Sequence, residues 1–125
     1  MATVTVYVPV AIADSYTFTA STAAAQTISR PVATGVLAND QPLALAGRTV
    51  NVVSGITRTG GTGTATLGAL TLNANGSFSC VLTAPASANT AALRQASKRG
   101  TYQFTYTETL NGVTTAPAVA TITVQ

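Results

Sequence analysis

Apolar and polar residues alternate with a period of two over most of this chain, and the alternation stops at clusters of Gly, Pro, Asn and Asp. A period of two marks strands with one buried and one solvated face. The clearest case is LTLNANGSFSCVL at 70–82, around which the other strands are expected to pack. Leu70 and Leu72 alternate with Thr71 and Asn73, and Phe78, Cys80 and Leu82 alternate with Ser79 and Val81. Register selects the turn between them. A two-residue Asn75-Gly76 loop pairs Leu72 with Ser79 and sends Phe78 to the wet face. Leu72 opposite Phe78 keeps one face dry and needs a three-residue loop. The pattern therefore predicts a type I turn over Ala74 and Asn75, with Gly76 left-handed in a bulge.

The same reading gives the other elements. Val4, Val6, Val8 and Val10 alternate with Thr3, Thr5 and Tyr7, which predicts a strand over 2–10 ending near Pro9. Tyr16–Thr19 is a second strand, and Ser21–Gln26 is small and irregular. A short strand within Ile28–Val36 is broken by Pro31, and GVLAND at 35–40 turns a corner. TVNVV at 49–53 is a strand that Ile56 extends, followed by a glycine-rich loop at 59–63. Ala86–Arg99 is the helical candidate, centred on 89–98. Asn89 is its expected cap, Gly100 its stop, and Lys98 and Arg99 sit at the end where the helix dipole favours cations. Tyr102, Phe104 and Tyr106 share one face of the strongest strand. Asn111-Gly112 is a turn, and Ala120, Ile122 and Val124 point inward from the last strand. About seven to eight short strands with turn chemistry between them predict an all-β antiparallel sandwich with one short helix. Residues 1–13 form an N-terminal strand and linker, and 14–125 form the sandwich domain.

Composition changes this picture in one respect. Charged residues make up 7% of the 125, against roughly 25% in an ordinary soluble domain. Exposed strand faces must therefore be clothed in Thr, Ser, Asn and Gln. The net charge of +3 and the pI near 9.5 reflect scarce acids more than a basic stripe, so nucleic acid is not an expected partner. Without His, the usual triads and most zinc sites are excluded. Cys80, the single cysteine, lies on the apolar face and reads as a small buried hydrophobe. No apolar run is long enough for a membrane helix. Ala11-Ile12-Ala13 has the small residues of an export cleavage site. But no basic residue precedes Arg30 and the segment is β-branched, so a strand without an export signal is expected. Asn75-Gly76-Ser77 is a glycosylation sequon that the turn already explains. Lys98 with Glu108 is the one set available for a self-formed isopeptide crosslink, and a surface position for Lys98 argues against it. No catalytic residue is identified, and an enzyme is not expected.

Six segments in fixed order carry a resemblance: Asp14-Ser-Tyr-Thr, GVLAND (35–40), TVNVVSG (49–55), GTATLGALTLNANGSFS (63–79), GTYQFTYT (100–107) and ATITV (120–124). Over 14–124 the chain resembles the Ig-like, cadherin-like tandem repeats of large bacterial surface adhesins, the VCBS-like group. The resemblance implies an extracellular Ig-like β-sandwich, often stiffened by calcium and used as a spacer or adhesive module. This chain departs from it where an acidic loop is usual: QPLALAGR follows GVLAND, and Asn75 replaces Asp in the hairpin turn. Segment 84–99 is also longer than the usual loop. Asp14, Asp40 and Glu108 are the only carboxylates. Asp40 and Glu108 are the pair that would hold calcium, but calcium wants six to eight oxygens, several of them anionic. The expectation is no metal and no cofactor.

These features lead to a non-enzymatic structural subunit of a larger assembly: a virion-surface decoration, tail or fibre protein, located on a virion or outside the cell. A single repeat opening with Met and lacking an export signal favours this over its alternatives. Those are one repeat of a secreted adhesin, or a carbohydrate- or receptor-binding module that meets cell-surface glycans. ATVTV at 2–6 nearly repeats ATITV at 120–124, as the closing strand of a preceding repeat would. Val4, Val6 and Val8 are then the assembly residues. Two outcomes compete: the strand folds back onto its own domain as an extra edge strand, or it adds to an edge of another copy or of a neighbouring structural subunit. The scarcity of surface charge favours the second, and neither involves nucleic acid or membrane insertion.

Overall fold

A computed structural model describes residues 9–40 and 47–125 of the chain. It is an all-β sandwich of two sheets with one short helix. The centre of the first sheet is β7 (Gly100–Leu110), where Tyr102, Phe104, Tyr106, Glu108 and Leu110 alternate inward and are fully buried. β9 (Ala118–Val124) pairs with it antiparallel. Large residues face small ones across this pair, as with Phe104 opposite Ala120, so the inner surface stays level. β3 (Arg48–Gly60) flanks β7 on the other side. It runs well past Val53, and three register shifts bend it. β8 (Val113–Thr114) closes a tight hairpin on β7 through Asn111 and Gly112, both at positive φ.

β1 (Asp14–Phe18) completes this sheet, but it pairs with β9 in parallel. A purely antiparallel sandwich is corrected here. β1 leads through Ala20 into the opposite sheet, so no hairpin constrains its direction.

The second sheet is built on β6 (Phe78–Thr83), whose Phe78, Cys80 and Leu82 are buried. β2 (Ala25–Arg30) pairs along one edge and takes in Ala25 and Gln26, which the sequence left irregular. After Pro31 the chain makes a single 3-10 turn, Val32–Thr34, instead of more strand. β4 (Thr66–Leu67) and β5 (Thr71–Leu72) share the other edge of β6. Leu72 faces Phe78 and Gly76 has φ +91°, the expected register and bulge. The two sheets meet through aromatic rings. Phe78 packs edge-on against Phe104 with centroids 5.3 Å apart, and Tyr16 lies 5.1 Å from Phe78.

Helix α1 (Ala91–Lys98) is capped by Thr90, not by Asn89. The Thr90 hydroxyl accepts from the Leu93 N–H at 3.2 Å, the third residue along, as a capping side chain must.

Candidate functional site

All three carboxylates of the chain are buried: Asp14, Asp40 and Glu108. The fold brings them together at one end of the sandwich around the Tyr106 hydroxyl and Arg48. Each is delivered by a different element. Asp14 opens β1. Glu108 occupies the next inward position of β7 after Tyr106. Asp40 closes the GVLAND corner, where Ala38 N–H bonds Gly35 O and Asp40 N–H bonds Leu37 O in consecutive turns. That corner is pinned to the central hairpin by Val36 N–H on Gly76 O at 3.0 Å. The two backbones approach so closely that a Cβ on Gly35 would stand 2.2 Å from Gly76 O, so only glycine fits.

The Tyr106 oxygen lies 2.6 Å from Asp14 Oδ2, 3.3 Å from Asp40 Oδ2, and 3.1 Å from both Ile12 O and Val36 O. Asp40 Oδ1 accepts from the Ile12 N–H at 2.7 Å, and Asn39 Nδ2 donates to Ala13 O at 3.2 Å. Arg48 Nε stands 2.8 Å from Glu108 Oε1, and its guanidinium also reaches Asp40 O at 3.3 Å. Glu108 Oε2 has no hydrogen-bond donor among the described residues. Burial dominates the electrostatics. It pushes the Asp14 carboxyl up to about 7, against the opposing hydrogen bond from Tyr106. Glu108 is also raised, by burial first and then by its Asp40 neighbour, despite Arg48. The Tyr106 and Tyr16 hydroxyls are raised by burial.

Asp40 and Glu108, the calcium pair considered from sequence, thus share one cluster with Asp14. No group of three His, Cys, Asp or Glu among the described residues is arranged to hold a metal ion. Val4, Val6 and Val8 lie outside the described residues.

The surface position expected for Lys98 is corrected. This single lysine is 0% exposed, and Nζ donates to Ser21 O at 3.0 Å, Ser21 Oγ at 3.1 Å and Ala23 O. The amphipathic turn of α1 aims it into the loop before β2, and burial lowers its pKa. Tyr102 Oη donates to Lys98 O at 2.6 Å and accepts from Arg58 at 2.9 Å, closing this opposite end of the sandwich. Glu108 lies about 25 Å of strand away, so Lys98 and Glu108 do not form a crosslinking set. Cys80 is buried, with Sγ against Gly68 O at 3.3 Å and a raised pKa from burial. Asn75 Oδ1 accepts from the Ser77 N–H and hydroxyl, which makes the sequon part of its own turn. A shallow depression of about 200 Å³ beside α1, lined by Thr62, Thr64, Ser87, Ala88, Leu93 and Ser97, carries no ionisable side chain.

With the acids buried, the charged side chains left at the surface are arginines: Arg99 is exposed, and Arg30 and Arg94 are half-buried. Arg30 lies over the Phe18 ring at 4.1 Å. β3 forms an edge of its sheet and pairs, among the described residues, with β7 alone. Val52 and Val53 on that edge are 47% and 54% exposed. Comparison of the chain with protein-family models, with curated proteins and with solved structures gives no match.

Proposed function

We propose that this chain is a non-enzymatic structural module, an Ig-like subunit of a larger assembly such as a virion-surface decoration, a tail or a fibre. The observation that carries the reading is the β3 edge. It is 13 residues long and exposes Val52 and Val53, and its two charged side chains are engaged within the domain, Arg48 on Glu108 and Arg58 on the Tyr102 hydroxyl. Charge is what usually guards an edge against pairing with another chain. The N-terminal segment carrying Val4, Val6 and Val8 has the alternation of a strand that adds to such an edge.

A second reading, one repeat of an adhesin rod, rests on the parallel pairing of β1. Asp14 lies beside Ala120 and Phe18 beside Val124, so the domain is entered at one end and left at the other. Head-to-tail repeats need that polarity. A calcium requirement and a glycan partner do not form part of either reading.

Placing one lysine on the edge tests the proposal. Val52→Lys and Val53→Lys, both at exposed positions, are expected to convert a self-associating chain into a folded monomer by sedimentation velocity. Identical sedimentation of parent and variants would remove β3 as the assembly edge.

A further inference from the structure

Three carboxyl groups face one guanidinium in the buried cluster, so the cluster is electrically neutral only when two of the three acids hold protons. Hydrogen-bond counting points the same way. The Tyr106 hydroxyl has one proton, yet its oxygen is surrounded by Asp14 Oδ2, Asp40 Oδ2, Ile12 O and Val36 O, all acceptors when the acids are ionised. A protonated Asp14 resolves the conflict: its O–H donates to Tyr106 over the 2.6 Å contact, and Tyr106 then donates to a backbone carbonyl. Glu108 Oε2, buried and without a donor among the described residues, suits a carboxylic acid better than a carboxylate.

The same groups hold the chain that leads into β1. Ile12 N–H is bonded to Asp40, Ile12 O lies against the Tyr106 hydroxyl, and Ala13 O takes the Asn39 amide. Ile12 itself is 39% exposed, so polar contacts supply much of its attachment. We propose that Asp14, Asp40, Glu108 and Tyr106 form a proton-held clasp that fastens residues 9–13 to the sandwich when two acids are protonated and releases them on deprotonation. The titratable and charged groups facing it are Tyr16 from β1, Arg48 from β3, and Tyr106 and Glu108 from β7; β9 contributes Ala118 and Ala120. The raised Asp14 carboxyl sets the release near neutral pH. The clasp is independent of how, or whether, the chain assembles.

Amide hydrogen exchange of the intact chain, with the Asp14 carboxyl carbon followed by NMR, tests it. Above the titration point the protection of the Ile12 amide is expected to fall about tenfold per pH unit for each proton released. Amides in the middle of β7 keep theirs. Asp14→Asn places an N–H where the acid proton stood, so its Ile12 protection is expected to fall less steeply over the same range, by the proton that Glu108 still releases. An Asp14 carboxyl titrating in the ordinary range near 4, Ile12 protection constant with pH in the parent, or an unchanged fall in Asp14→Asn would each overturn the clasp. If Asp14→Asn does not fold, the carboxyl titration of the parent decides alone.

Discussion

Phe78 and Phe104 carry the contact between the sheets, and removing either is the strongest test of the core. Phe104 is 0% exposed and Phe78 is 2% exposed, with their rings edge-on at 5.3 Å. Phe104 also lies 6.4 Å from the Tyr106 ring, and Phe78 lies 5.1 Å from Tyr16. Truncation to Ala removes a fully buried ring and leaves a cavity, a loss of about 3–5 kcal/mol for each. A domain of this size holds only about 5–15 kcal/mol in total, so each variant should melt at much lower urea concentration. The rings also interact directly, by about 0.5–1.5 kcal/mol beyond their buried area. Phe78→Leu and Phe104→Leu keep more of the volume, so a double-mutant cycle on the Leu variants stays measurable and should return that coupling. The assay is equilibrium urea unfolding, followed by tyrosine fluorescence because the chain has four Tyr and no Trp. A loss below about 1 kcal/mol for both Ala variants, or Leu variants additive to within about 0.3 kcal/mol, would refute the inward face assigned to these strands.

Three further outcomes follow. Asp14 and Glu108 bind protons more tightly folded than unfolded, so stability should be greatest below about pH 4 and fall as pH rises towards 8; a rise over that window in urea melts would contradict the buried cluster. Lys98→Met leaves Ser21 O and Ala23 O without their donor and should cost about 1–3 kcal/mol; a surface lysine would cost under about 0.5 kcal/mol, and the same urea melts separate the two. Thermal melts in excess chelator and in millimolar calcium should coincide, since an ion bound only by the native state would raise the melting temperature.

Much of the fold was legible because the alternation is clean where it matters. Leu72 opposite Phe78 followed from keeping one face dry, and Tyr102, Phe104 and Tyr106 followed from period alone. β1 was legible as a strand but not in its direction, because five residues do not record which edge they join. The helix cap moved from Asn89 to Thr90 because both are capping residues one position apart. Lys98 was misplaced because the dipole favours a cation at a helix end whether it points to water or to carbonyls; the loop oxygens of Ser21 and Ala23 are distant in sequence. The buried cluster left one readable trace. Glu108 has the same parity as Tyr102, Tyr106 and Leu110, so a carboxylate was written into an inward position. Its partners Asp14, Asp40 and Arg48 come from three other parts of the chain, and only tertiary structure joins them.

The central claim is that this sandwich is a subunit joined to its neighbours by strand addition. Sedimentation velocity on the full chain and on a chain lacking residues 2–8, with circular dichroism on both, tests it most directly. The account predicts a self-associating full chain and a truncated chain that is folded and monomeric. A full chain that stays monomeric as its concentration rises, or a truncated chain that associates just as before, would contradict it.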